Sequence, residues 1–499
     1  MNRLLALSVA FCFSFCLLSQ AQKALAQSNS AAVFTILHTF CVEKGCVVGE
    51  SSQLVQGLDG NLYGATQSGG NVNKTVCPSG CGTIYKITPA GALSIVYAFC
   101  SLANCADGIS PASLLLASDG NFYGVTEWGG IPDANCPPGC GTIFKLTPQG
   151  ILTTLYYFDP DDTFSPRQLI QGADGNFYGW AYQSYFEDFN IELFEMTPQG
   201  NVSTTLGFSN DYFMLSFQAP DGVIYGTTDP VGDEHDILYG GTVFAMTSLG
   251  ALTTIHDFCP DLSNCANGYD PTSLFRATDG DFYGSMYLGG NLNNTVCGNG
   301  VGCGLIFKLS PGGAATTLYT FCPGADCWDG FPISLMQASD GNFYGLTSPP
   351  FYSTSTGTGT IFELAQSGAF TTLFKFCGQR SCKDGAFPNS SLLQATNGMF
   401  YGTTNGGDNA FGTIFSLSLG LSPFVKTLPT SGEVGKPVYI LGTKLTGATQ
   451  VNFNGVAANF TVVSPTEITT TVPKGATNGI VTVTTPAGTL SSNVNFLIP

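Results

Sequence analysis

Asp119-Gly120-Asn121-Phe122-Tyr123-Gly124 is followed by Gly141-Thr142-Ile143-Phe144-Lys145-Leu146-Thr147-Pro148-Gln149-Gly150 and then by Leu152-Thr153-Thr154-Leu155-Tyr156-Tyr157-Phe158. These three strings decide the fold. Asp-Gly between short apolar runs predicts a β-hairpin with a type I′ turn, which needs positive φ at both central residues. Thr-Pro-Gln-Gly predicts a second turn, because Pro presets φ and Gly accepts positive φ. Four short strands result: a (Ser113 to Ala117), b (Phe122 to Thr126), c (Thr142 to Thr147) and d (Leu152 to Phe158). Both faces of strand d carry apolar residues or Thr, so both faces of the sheet are expected to be covered.

The hairpin string recurs. Copies begin at Asp59, Asp119, Asp174, Asp221, Asp279, Asp340 and Asn397, with spacings of 60, 55, 47, 58, 61 and 57 residues. Four-stranded meanders repeated in this way are the blades of a β-propeller. The seventh copy has a c-type string, Gly412-Thr413-Ile414-Phe415, but no d string after it. A d-type string, Val33-Phe34-Thr35-Ile36-Leu37-His38-Thr39-Phe40, instead precedes the first copy. Pairing of this N-terminal strand with the last blade would close a seven-bladed ring. A β-solenoid, the rival architecture, has no reason to place an orphan d strand at the far end.

These strings resemble the GloVer (Gloeo/Verruco) tandem repeats of secreted bacterial proteins over residues 33–417. Blades three and four depart from the pattern, for example at Ile191-Glu192-Leu193-Phe194, which lacks the Gly-Thr, and the sixth lacks the Gly-Gly. The resemblance implies a secreted or surface location and little chemistry. Residues 421–499 change in character, with no Cys, dense Val/Thr alternation, and the runs Gly435-Lys436-Pro437-Val438-Tyr439-Ile440-Leu441-Gly442 and Val472-Pro473-Lys474-Gly475-Ala476. Six or seven short strands with turns between them make a small β-sandwich, and the segment resembles an IPT/TIG immunoglobulin-like domain. That resemblance implies a spacer or interaction module. The fold class expected is therefore all-β, a seven-bladed β-propeller of four-stranded blades followed by a small immunoglobulin-like β-sandwich.

Arg3, an uncharged stretch from Leu4 to Leu18, and Ala24-Leu25-Ala26 read as a secretory signal cleaved after Ala26. A transmembrane anchor is the alternative, but about 15 apolar residues are short for a span of about 20. The expected domains are a signal at 1–26, the propeller at 27–420 and the sandwich at 421–499. No membrane span is expected in the mature chain, which would be secreted or held at the cell surface.

The chain of 499 residues has 16 Lys+Arg against 34 Asp+Glu, a net charge of −18, so a nucleic-acid partner is excluded. After signal removal, sixteen cysteines fall into eight close pairs. Five pairs follow d strands: Cys41 with Cys46, Cys100 with Cys105, Cys259 with Cys265, Cys322 with Cys327, and Cys377 with Cys382. Three precede c strands: Cys77 with Cys81, Cys136 with Cys140, and Cys297 with Cys303. In a secreted chain, an even count argues for disulfides. Zinc is the alternative, but paired His are missing and each pair would need a second brought close in space. In a meander the d–a and b–c loops emerge on one face, so all eight pairs would stiffen the same face.

Function tends to sit on loops held by a rigid scaffold. On the loop face the candidate binding residues are Trp128 with Glu127, Trp328 with Asp329, Tyr287, and Phe351-Tyr352. Aromatics beside carboxylates suit sugar rings; the competing reading is packing against the neighbouring blade. Asp233-Glu234-His235-Asp236 and Asp159-Pro160-Asp161-Asp162 read as solvated acidic loops rather than metal sites. The chain has no G-x-S-x-G, no H-E-x-x-H and no phosphate loop, so neither catalytic residues, cofactor nor metal is assigned. Two function classes stay open. One is a noncatalytic binding or adhesion scaffold for an extracellular polysaccharide or surface protein. The other is a carbohydrate-active hydrolase or lyase at the mouth of the ring, whose paired carboxylates could come from different blades.

Overall fold

The computed structural model describes residues 32–40, 53–133, 136–159, 164–182, 190–209, 211–230, 240–247, 250–260, 265–293, 297, 301–323, 330–349, 358–407 and 412–499. The signal-like segment, Cys41 and Cys46, Cys327, Trp328, Asp329, Phe351-Tyr352, the cluster at 233–236 and most of the loop at 159–162 lie outside the described residues. The protein is all-β. Six four-stranded sheets follow one another in sequence order, each with neighbours a-b-c-d. In blade two these strands are Ile109–Leu116, Phe122–Trp128, Thr142–Leu146 and Leu152–Tyr157. The seventh sheet takes its outer strand from the N-terminus: Val33–Thr39 pairs antiparallel with Thr413–Ser418. The ring therefore closes as the orphan d string predicts.

The repeat motif reads directly as packing. In each Asp-Gly-x-Phe-Tyr-Gly string the Phe and the Tyr point to opposite faces of strand b, by the two-residue period of a strand. The Tyr of one blade meets the Phe of the next. Ring centroids are 4.3 Å apart for Tyr63 and Phe122, 4.3 Å for Tyr123 and Phe177, 4.4 Å for Tyr283 and Phe343, and 4.6 Å for Tyr344 and Phe400. Across the closing seam, Tyr401 and Leu62 share one core with Phe40, Tyr85 and Ile414. The Gly after each Tyr is required by strand c. A Cβ on Gly124 or Gly226 would stand 2.6 Å from the ring of Phe144 or Phe244.

The Asp serves three partners. Asp119 accepts from the Asn121 backbone N–H (3.0 Å), the Tyr123 hydroxyl (3.0 Å) and the Lys145 ammonium (2.8 Å). Burial pushes its carboxyl up, but these donors outweigh burial and hold it below the ordinary value. Thr pairs then tie strand b to strand c, as in Thr126 with Thr142 (2.8 Å) and Thr347 with Thr360 (2.8 Å). Blade five replaces that pair with the apolar Met286 and Leu305.

One expectation is corrected. The Asp-Gly turns are not type I′, because only the Gly has positive φ, at +79° for Gly120, while Asp119 does not. The Gly120 N–H bonds the Ala117 carbonyl, and the Ala117 N–H bonds the Asn121 carbonyl. This is a three-residue loop, a turn followed by a glycine in αL. Asp119 can then cap the Asn121 N–H from its ordinary backbone region, a two-residue reach typical of Asp in turns.

The C-terminal domain forms two four-stranded sheets around a separate core that includes Val438, Ile440, Val451, Phe453, Ile468, Val481, Val483 and Phe496. It rests on the turn face of the ring. Thr466 Oγ1 donates to the Leu58 carbonyl in the a–b turn of blade one (2.8 Å), and the Phe424 N–H bonds the Thr396 carbonyl in blade seven (3.0 Å).

Candidate functional site

The seven a strands are innermost, and between them runs a channel of about 1230 Å³. One end is walled by the C-terminal domain, through Lys426 to Ser431 together with Leu441 and Val494. Where strand a approaches its Asp-Gly turn, the blades present Gln56, Leu116, Gln171, Gln218, Arg276, Gln337 and Gln394 at one shared register, opposite the first residue of strand b. The glutamines link blades. Gln171 accepts from the Ser118 N–H of blade two (2.7 Å), Gln337 from Thr278 of blade five (3.0 Å), Gln394 from Ser339 of blade six (2.8 Å), and Gln56 from Thr396 of blade seven (3.0 Å). The string Gln-Ala-x-Asp-Gly carries this ring in the sequence, at Gln218, Gln337 and, with Asn for Asp, Gln394. It is easily overlooked, because attention falls on the Asp-Gly that follows.

At the loop end stands a second polar group. Glu127 is 8% exposed, and its Oε1 accepts from Arg167 Nη1 (2.6 Å) and from Gln67 Nε2 (3.1 Å). Three blades thus contribute one cluster, with Gln67 and Arg167 on the channel wall. Burial pushes the Glu127 carboxyl up and outweighs the Arg167 charge that pulls it down. Arg167 Nε is buried without a hydrogen-bond partner.

Two other sequence candidates, Trp128 and Tyr287, are among the described residues. Trp128 is half-buried and packs against the core between blades one and two. Tyr287 is half-buried and stacks on Phe331 of blade six at 4.6 Å, and burial pushes its hydroxyl up. Among the described candidates, Trp128 and Tyr287 thus pack between blades, whereas Glu127 is joined by Arg167 and Gln67, which sequence reasoning missed.

Six of the expected cysteine pairs are bonded: Cys77–Cys81, Cys100–Cys105, Cys136–Cys140, Cys259–Cys265, Cys297–Cys303 and Cys377–Cys382. Of the other two expected pairs, Cys41 with Cys46 falls wholly outside the described residues, and Cys322 is described while Cys327 is not. Blade one does bring two pairs together: the sulfurs of Cys77, Cys81, Cys100 and Cys105 lie within 4.8 Å of one another, as do those of Cys297, Cys303 and Cys322. The geometric objection to zinc therefore falls, and the bonds themselves argue for disulfides. Non-reducing peptide mapping should return these six loop disulfides, each contributing about 2 kcal/mol on the chain-entropy model. Free thiols with bound zinc would reverse the assignment.

Buried acids anchor the same loops. Asp107 is fully buried and accepts from the Tyr97 hydroxyl (2.8 Å), the Ser101 N–H (2.8 Å) and the Leu102 N–H (3.1 Å). Asp384 accepts from the Gly378 N–H at 2.9 Å in the equivalent loop. Both stand in a Cys-x-Asp-Gly string, which Asp329 shares in sequence.

Among the described residues no helix is long and apolar enough to cross a membrane. In fold the chain is similar to polysaccharide lyase Uly1, at 10% identity and a TM-score of 0.43, covering 78% of this chain and 98% of that one. It is also similar to prolyl oligopeptidase B from Galerina marginata, at 12% identity and a TM-score of 0.43, covering 80% of this chain and 57% of that one. A protein from Lactobacillus plantarum is similar at 13% identity and a TM-score of 0.43, covering 83% and 98%. No curated protein matches the sequence. The Gloeobacter/Verrucomicrobia repeat matches residues 51–297 and 295–459, and the IPT/TIG domain matches 423–498. With its repeat strings explained blade by blade, the chain belongs to the Gloeobacter/Verrucomicrobia repeat family and carries an IPT/TIG domain at its C-terminal end.

Proposed function

We propose that the protein is a secreted, noncatalytic binding scaffold that takes a glycan or other polar ligand into the central channel from the disulfide-stiffened face. The observation that carries this reading is the channel itself, with the Gln67–Glu127–Arg167 cluster at its loop end and the C-terminal domain across the other. Concave sites with a few convergent polar groups are the usual places for ligands. An extracellular location is supported by the disulfides, which persist in oxidising compartments; cleavage after Ala26 would deliver the chain there. The domain division at 26 and 420 belongs to the same proposal.

The test is calorimetric titration of the full chain against an oligosaccharide panel, with Arg167→Gln beside the wild type. The variant should lose about tenfold in affinity, roughly the 1.4 kcal/mol of one charge-assisted hydrogen bond. Unchanged affinity would remove the cluster from the site.

A second reading is favoured by one observation, the raised carboxyl of Glu127, a property of general acids in glycoside cleavage. Under that reading the wild type shortens a polysaccharide and Glu127→Gln does not.

A further inference from the structure

In a chain where acids outnumber bases 34 to 16, the channel wall reverses the balance. Its charged residues are Arg167, Arg276 and Lys426, and no Asp or Glu lines it among the described residues. Arg167 is matched by Glu127. The other two stand at the floor, and among the described residues neither has a carboxylate within 4.0 Å. Lys426 Nζ donates to the Gln394 carbonyl at 2.6 Å and lies 5.7 Å from the Phe424 ring. Arg276 Nε donates to the Gly280 carbonyl at 3.0 Å. Gln394 and Arg276 hold the same register in blades seven and five, so both cations lie at one level of the channel.

The floor was not built this way for stability. Lys426 is half-buried, its ammonium gives up hydration that a single carbonyl does not fully return, and burial pulls its amine down to about 8. At the register of Arg276, five of seven blades carry Gln, and Gln171, Gln218 and Gln337 make the same bond to their own turn carbonyl that Arg276 makes. A neutral amide would therefore meet the structural need, and the guanidinium adds a charge that the turn does not use. Each floor glutamine accepts a backbone N–H from the preceding blade through its carbonyl oxygen, whereas Lys426 and Arg276 are the floor groups that bring a positive charge with their donors.

We propose that the channel selects a carboxylate-bearing ligand, its anionic group seated at the floor between Lys426 of the C-terminal domain and Arg276 of blade five. This rests on the channel reading above and names its ligand class. The site is complete only with both domains, because the C-terminal domain supplies one of the two cations. The carboxylate could belong to a uronic acid residue or to a small organic polycarboxylate.

The test titrates the full chain with digalacturonate, citrate, inorganic phosphate and cellobiose. At least one of the two carboxylate probes should bind ten times more tightly than cellobiose and phosphate, and digalacturonate against citrate tells which source of carboxylate fits. Lys426→Met and Arg276→Gln should each weaken that binding tenfold or more. Thermal midpoints should be unchanged or raised, since one variant removes a half-buried charge and the other restores the residue most blades use. Cellobiose binding as tightly as digalacturonate would overturn the anion inference and leave the channel reading intact. Preference for phosphate, or carboxylate binding unaffected by both variants, would also overturn it. If no probe binds and the oligosaccharide panel is silent as well, both readings fall together.

Discussion

Deleting residues 27–40 is expected to abolish cooperative unfolding of the ring and to drive the protein into aggregates. The segment supplies the outer strand of blade seven. Phe34 stacks on Phe374 of blade six with centroids 3.7 Å apart, and Phe40 is fully buried in the core shared by blades seven and one. Losing the fully buried Phe40 removes roughly 1.5–3 kcal/mol and the half-buried Phe34 and Ile36 part of that each, so about 4 kcal/mol goes before hydrogen bonds are counted. That approaches the whole stability of many domains. The deletion also bares the edge of Thr413–Ser418, and an open edge pairs with other chains. Calorimetry and size-exclusion chromatography provide the check. A truncated chain that melts at the wild-type midpoint as a monomer would refute closure by this strand.

Asp107→Ala should cost about 3 kcal/mol, the largest effect we expect from a single loop residue. Removing the carboxylate orphans two backbone N–H groups and a tyrosine hydroxyl around a fully buried position. An orphaned buried donor costs about 1–3 kcal/mol, and since Ser101 and Leu102 are exposed and Tyr97 half-buried, these three donors fall at the low end of that range. Asp107→Asn should recover part of the loss, because an amide oxygen still accepts. Urea unfolding of the three proteins reads this directly. A loss below about 1 kcal/mol in the Ala variant, the low end for one orphaned donor, would show that water replaces the carboxylate and that the loop anchor is dispensable.

The architecture was legible because the motif residues do the packing. The Phe and Tyr of strand b face opposite blades, the Gly makes room for the ring of strand c, and the unpaired d string at the N-terminus closes the seam. The turn type is not legible because Asp-Gly suits two hairpin loops, which differ in the backbone of the residue before the Gly and in the bonds that close the loop. The candidate site was less legible. Glu127 stood out beside a tryptophan, but its partners Arg167 and Gln67 come from other blades, and no local spacing records which loops a ring brings together. Lys426 was hidden for the same reason, since its place at the floor depends on how a second domain seats on the first.

That seating bears on how the molecule carries a load. The C-terminal domain grips blade seven through Phe424 and Lys426 and blade one through Thr466, and Tyr439 stands beside the turn of blade two at Gly120. Going round the ring, the one break in the chain lies inside blade seven, where Val33–Thr39, the strand that runs on into blade one, is held to Thr413–Ser418 by strand pairing; blades seven and one also meet through the pair of hydrogen bonds between Gln56 and Thr396. The domain therefore works as a clasp across the one joint in the ring that is not covalently continuous. Tension applied at Pro499 would be delivered to that joint first, and the ring would yield there by unzipping before any single blade unravels.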